Sequence, residues 1–452
     1  MLATAGRALG LAVVLTALVL APAIGYANTH VLLIFGAVAA VLTVLGRSVE
    51  SGTAPSTSLR LVPLPRSAGE DPVGAVPTQE NRQSSEDERV LHREAGEGDQ
   101  RSWWRGRPRT QTLTTLLFAI AFALILIAAL GAMRQPADLL ALVPYLAPLC
   151  FLPFASVIGD RAPNLARLAL IGAGIGLVSA LALRYGIGRP RAGEGSFITD
   201  PYRLAVTTLL CATLALGALF TRERWRWLSL LGLVAAAGVI WLTGSRTALL
   251  GVPAVLLITA LCFVRKPVAI AGLLLGTAAL GAVALFVELP GRSRMRLWDV
   301  LGGIARGDSV ADESIWVRIR LWSEALRDIP NAPIFGHGWG DWLMAPLRDR
   351  FPSDLESLHT IQHMHNDALH YAMAGGVLGI AAWLLLLAAP LAGYVALPRE
   401  QRTRQRLHAI LVLVGGYFVL GLADIMLASP AQLTLYVALT AVVLSPSKSS
   451  VR

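Results

Sequence analysis

Apolar residues fall along this chain in runs of roughly 20, parted by short polar connections. A run of that length, coiled as a helix, spans the ~30 Å hydrocarbon core of a bilayer. The runs lie near 8–26, 29–46, 112–132, 137–158, 162–184, 202–220, 226–243, 247–264 and 267–288. Beyond a long polar stretch, three more follow near 367–397, 405–424 and 430–446. The pattern predicts an all-α, polytopic transmembrane helical bundle of about 12 spans. A membrane β-barrel would show short alternating segments instead. The first run is long for the apolar part of a signal peptide and Gly25-Tyr26-Ala27 is a weak cleavage match, so it reads as a span.

Two stretches interrupt the pattern. Residues 47–110 are rich in Ser, Glu, Arg, Gly and Pro and read as a disordered cytoplasmic loop, a candidate partner-binding tail. Its end, Arg101-Ser-Trp-Trp-Arg-Gly-Arg-Pro-Arg109, forms a basic and aromatic collar of the kind found at the membrane interface. Residues 289–366 are polar, aromatic and basic. Within them Ile315, Ile319, Trp322, Leu326 and Ile329 recur at steps of three and four, which predicts an amphipathic helix between an N-cap at Ser314 and a stop at Pro330. Arg318 falls at the edge of that stripe beside Trp322, whereas Arg320 and Arg327 project to the wet side. The chain thus divides into two N-terminal spans (1–46), the loop 47–110, a transmembrane core (111–288), the loop 289–366, C-terminal spans (367–446) and a tail (447–452).

Charge then gives the orientation. Hydrophobic residues make up 55% and charged residues 15%, against about 25% charged in soluble domains. The net charge of +10 resides mostly in Arg beside apolar runs, the distribution of topology signals rather than a nucleic-acid surface. With both termini cytoplasmic, the dense basic clusters share one side: Arg161 and Arg167; Arg222, Arg224 and Arg226; Arg265 and Lys266; Arg399, Arg402, Arg404 and Arg406. The loop 289–366 then lies outside, with the end of the span carrying Thr243-Gly-Ser-Arg246. Cys150, Cys211 and Cys262 lie within apolar runs and read as small core hydrophobes.

The chemistry concentrates at that outer boundary. Arg246, a guanidinium at a membrane edge, either snorkels or binds an anion; Gly244 and Ser245 allow a close approach. His365, followed by Asn366, opens a span at the same mouth, where an imidazole can act as a base near pH 7. Gly336-His-Gly-Trp-Gly340 lacks the Lys-Ser/Thr of a phosphate loop and reads as tight turns with an aromatic edge for a sugar or headgroup, through Gly338 and Trp339. His359 and His363 are four apart, half a metal site on a helix, but no clustered carboxylate completes it, so neither metal nor cofactor is expected. Two guanidiniums can hold a diphosphate as it leaves while one imidazole deprotonates an incoming hydroxyl, which fits glycosyl transfer from a lipid diphosphate. A transporter or flippase for such a lipid would need charges at mid-span; Asp424, near a span end, is the nearest candidate.

Gly244-Ser-Arg-Thr-Ala, Arg318-Ile-Arg-Leu-Trp322, Pro333-Ile-Phe-Gly-His-Gly-Trp-Gly340, His365-Asn-Asp-Ala-Leu and Gly375-Gly-Val-Leu-Gly379, in this order, resemble the O-antigen ligase and polymerase superfamily. The resemblance covers about 200–400. It implies a bacterial inner-membrane glycosyltransferase that moves glycan from undecaprenyl diphosphate by a metal-independent, inverting route. It also implies catalytic roles for His365, Arg318 and Arg246, and substrate contacts from Ser245, Trp322, Gly338, Trp339 and Asn366. The partners implied are the lipid-linked glycan donor, a glycan or lipid A-core acceptor, and the bilayer. A ligase to lipid A-core is the leading reading, a repeat-unit polymerase its rival, and a protein O-glycosylating ligase a third choice of acceptor. Two features depart from the family pattern: Ala374 precedes Gly375 where many members carry an acidic residue, and the 47–110 loop is long.

Overall fold

A computed structural model describes residues 2–21, 109–159, 163–193, 199–263, 267–286, 297–306, 313–350 and 361–446. The run near 29–46, the 47–110 loop up to Pro108, His359 and the 447–452 tail fall outside the described residues. The described residues form α1 (Leu2–Leu20), α2 (Arg109–Ala132), a 3₁₀ segment (Pro136–Cys150) leading into α3 (Phe151–Ile158), α4 (Leu165–Leu181), α5 (Pro201–Ala215) and α6 (Leu230–Thr243). Then come α7 (Arg246–Phe263), α8 (Pro267–Phe286), α9 (Leu297–Arg306), α10 (Glu313–Asp328), α11 (Ala345–Arg350), α12 (Asp367–Ala396), α13 (Arg404–Ala423) and α14 (Pro430–Leu444). No strand occurs among the described residues, and 8 helical stretches there are long and apolar enough to cross a membrane. The apolar helices Gly10–Leu20, Ile270–Ala279 and Pro430–Leu444 are shorter. The protein is an all-α, polytopic membrane protein.

The solvent of a bilayer shows in what is left uncovered. Leu116, Val178, Leu231 and Val395 are exposed on spanning helices, where lipid rather than water would meet them. By contrast every residue of α14 from Ala431 to Leu444 is buried. A helix apolar all round and wrapped by protein is a central post, and need not match the bilayer in length. The expected span near 137–158 begins as 3₁₀ because Pro144 and Pro148 lack the N–H that an α-helix would require.

Helix registers fix which termini share an end. A Cβ built on Gly251 of α7 would meet Leu420 of α13, and one on Gly416 would meet Leu210 of α5 and Val255 of α7. So α7 and α13 run antiparallel, and Arg246 and Asp424 come to the same end. At the opposite end Phe220 stacks on Phe263, beside His408, and Arg406 donates to the Ser445 carbonyl at the foot of α14 (2.6 Å). Arg402 donates to the Leu397 carbonyl at 2.8 Å, and Arg167 pairs with Glu223. Basic residues that the charge pattern assigns to one side therefore gather at one end of the bundle.

α12 is two arms. It breaks at Gly376, with φ 58° and ψ −144°, and the Tyr371 carbonyl lies against Gly379, so the chain doubles back at the break. The backbone groups freed there are satisfied by the glycine-rich stretch. His337 N donates to Met373 O (2.7 Å), Gly338 N to Ala374 O (3.1 Å) and Val377 N to Pro333 O (2.8 Å). The motif predicted to offer turns for sugar docking thus spends its backbone on locking a broken helix.

α10 forms where the apolar spacing placed it, from Glu313 rather than Ser314, and Pro330 follows its end within a short 3₁₀ turn. Its buried face differs from the expected stripe. Val317, Leu321, Ala325, Glu324 and Asp328 are buried, whereas Ile319 and Leu326 are exposed. The rotation is explained by Arg350, which donates to Glu324 and Asp328 at 2.6 Å each and draws those carboxylates inward. Arg327 is exposed, as expected, and Arg320 lies 3.6 Å from Glu324.

Candidate active site

The site is assembled at the end of the bundle where α12 starts and α13 stops. Asn366 caps α12, its Oδ1 accepting from Leu369 N (3.0 Å), and its Nδ2 donates to the Leu422 carbonyl (2.8 Å). Asp367 is wholly buried and accepts from three successive N–H groups, those of Met426, Leu427 and Ala428, at 2.8–3.0 Å. These bonds tie the start of α12 to the connection between α13 and α14. His365 sits just before the cap with φ 49°, a left-handed backbone that only a well-held non-glycine residue keeps.

Asp424 is the hub. Its Oδ1 accepts from His365 Nδ1 at 2.9 Å, and also from Ile425 N at 2.9 Å. Its Oδ2 accepts from Arg318 Nη2 at 2.9 Å. Burial works to raise the Asp424 pKa, but the His365 hydrogen bond and charge and the Arg318 guanidinium win, holding the carboxyl well below the usual range. With Nδ1 committed to the carboxylate, Nε2 is the ring nitrogen left for chemistry. The ring of His363 lies 4.3 Å from that of His365. Burial, then its neighbour His365, lowers the His363 pKa to about 3, against a smaller opposing pull from Asp424.

The residues singled out in the sequence divide by task. Arg318 and His365 meet on one carboxylate. Arg246 opens α7 at the same end, after the left-handed Gly244 that stops α6 at φ 62°. Ser245 Oγ accepts from Ala248 N (3.4 Å), starting α7. Trp322 Nε1 donates to the Met364 carbonyl (3.0 Å), strapping α10 to the strand of chain that bears the histidines. Trp339 is buried among Tyr145 and Tyr371, with ring centroids 4.6 and 5.6 Å away. Sequence reasoning met Asp424 only as a possible transport charge and passed over Asp367. The Asn366-Asp367 pair at a span start was a usable signal, since a carboxylate at a helix N-terminus beside a cap has a positional task.

His363, His365 and Asp424 also bring three potential metal-ligand atoms within 4.8 Å of one another. Both Asp424 oxygens already accept charged or backbone donors, so a cation would have to displace Arg318 and the His365 proton.

Residues 231–384 match the family model described as O-antigen ligase. Arg246, Arg318 and His365 all fall within the matched segment; Asp424 lies beyond it. The chain is also similar to the O-antigen ligase of Pseudomonas aeruginosa, 29% identical over 161 residues. This similarity covers 36% of the chain and about a third (33%) of the length of that relative.

Proposed function

We propose that this protein transfers glycan from a lipid-linked diphosphate to an acceptor hydroxyl, as an O-antigen ligase of the bacterial inner membrane with its site on the periplasmic side. The observation that carries the reading is one ionised carboxylate, Asp424, holding both an imidazole and a guanidinium at 2.9 Å. A His fixed through Nδ1 by a carboxylate presents Nε2 as a base and gains stability once protonated. In the reaction, His365 Nε2 takes the proton of the acceptor hydroxyl. That oxygen bonds to the anomeric carbon, and the bond from that carbon to the phosphate oxygen breaks. The electron pair leaves with the lipid diphosphate, whose charge Arg318 and Arg246 stabilise. Ser245, Trp322, Gly338 and Asn366 serve by positioning the helices and loop that carry these groups, and Trp339 by shaping the wall beside them. No metal or other cofactor is required by this scheme.

The test is a strain deleted for the gene and complemented with wild type, His365→Ala or Arg318→Ala at matched expression. Surface glycan and lipid-linked glycan are resolved by length. A ligase lacking activity leaves long polymer stranded on the lipid carrier and the acceptor bare. Acceptors capped with single repeats would instead assign a polymerase, and wild-type behaviour of both mutants would overturn the catalytic assignment.

A further inference from the structure

Beside the histidine pair lies a cavity of about 880 Å³, within the ~300–1,000 Å³ range of small-ligand sites. One wall is the start of the 3₁₀ segment, with Gln135 and Asp138; another is Trp339 to Trp342; a third is Gln362 and His363. Ile425, which follows Asp424, also lines it. Neither Arg318 nor Arg246 does. Its charged lining is mixed, with Asp138, Asp341 and Asp349 against Arg203 and Arg348, and Arg348 lies 4.0 Å from Asp341. Three carboxylates against two guanidiniums make a poor host for a diphosphate. Amides, carboxylates and indoles suit a neutral ligand dense in hydroxyls, which donates and accepts at its rim and offers C–H faces to aromatic rings.

Trp339, 3% exposed, and His370, 6% exposed, also line the cavity and add an indole and an imidazole to its wall. His370 is itself fixed, its Nε2 lying 3.1 Å from the Tyr145 hydroxyl. The facing wall is also preformed: Asp138 Oδ2 accepts from the backbone of Arg134 (2.9 Å) and Gln135 (3.0 Å), and the Arg134 guanidinium lies 4.0 Å over the Trp342 ring.

We propose that this cavity is the acceptor subsite, holding the neutral sugar whose hydroxyl attacks. The assignment rests on the glycosyl-transfer reading above. It places acceptor and diphosphate on separate surfaces, with His365 between the cavity, reached through His363, and the Arg318 side of Asp424.

The test uses the full-length protein in nanodiscs, with lipid-linked glycan as donor and core oligosaccharide, released from lipid A by mild acid, as acceptor probe. Trp342→Ala and the exposed-residue variant Gln362→Ala are expected to raise the acceptor KM about tenfold while the donor KM holds. Titration calorimetry of the same oligosaccharide, which needs no turnover, should show about tenfold weaker binding to Trp342→Ala and unchanged binding to His365→Ala. A rise in donor KM in place of acceptor KM, or unchanged acceptor binding in both cavity variants, overturns the subsite assignment. Transfer that survives His365→Ala would instead overturn the role of His365 as base, and no transfer by wild type would overturn the glycosyl-transfer reading, whatever the cavity binds.

Discussion

Asp424 draws together residues 106 and 59 positions upstream, Arg318 and His365. A buried carboxylate is costly unless fully partnered, and here both oxygens are. His363 carries the opposite cost. Its folded pKa is lowered to about 3, so the unfolded chain binds a proton that the folded site refuses. The stability tied to neutral His363 is complete above its ordinary value near 6.5 and is lost as pH falls from there toward 3. We expect His363→Asn in detergent to lose less thermal stability than wild type between pH 7 and pH 5. Equal losses in the two proteins would show that His363 does not carry this penalty. Of these residues the sequence marked Arg318 and His365 by type and by nearness to a span edge. It could not mark Asp424 as their partner, because contact across 59 or 106 residues is set by helix register and not by local pattern.

At the scale of elements, the break in α12 organises the site's neighbourhood. Gly376 needs a positive φ, and a Cβ there would lie 2.6 Å from the Ile334 carbonyl and the Pro333 oxygen. Gly376→Ala should therefore destabilise the protein by at least ~1–3 kcal/mol, read as a lower unfolding temperature and poorer yield. Gly174→Ala is the matched control: it lies in a helix with open space around it, so it should be neutral or stabilising by up to ~1 kcal/mol. Similar behaviour of the two variants would count against the break. The 8 spanning helices among the described residues were legible from apolar run length alone, since a bilayer demands that length. The broken helix was not, because Gly375-Gly-Val-Leu-Gly379 lies inside an apolar run and reads as part of one continuous helix. The inward turn of Glu324 and Asp328 was hidden for a similar reason: Arg350, outside the α10 pattern, donates to both carboxylates and offsets the cost of their burial.

For the whole molecule, the two ends of the bundle differ in chemistry. One end collects Arg167, Arg402 and Arg406; the other collects His365, Asp424, Arg318 and the cavity. The charge pattern along the chain assigns the first end to the cytoplasm. A membrane-impermeant maleimide should then label Gln362→Cys in cells with a permeabilised outer membrane and an intact inner one. Gln401→Cys should label only once the inner membrane is opened. The reverse pattern would invert the topology and remove the reason for invoking a lipid-linked donor.

The central claim is that His365, oriented by Asp424, takes a proton from the acceptor. The most direct measurement is release of lipid diphosphate coupled to glycan transfer by purified protein, comparing wild type with His365→Ala and Asp424→Asn. Loss of a positioned general base costs ~10²–10⁴-fold in rate, so His365→Ala should fall by that much. Asp424→Asn should fall with it, because Nδ1 of His365 loses its charged partner. Transfer by His365→Ala within threefold of wild type would contradict the account.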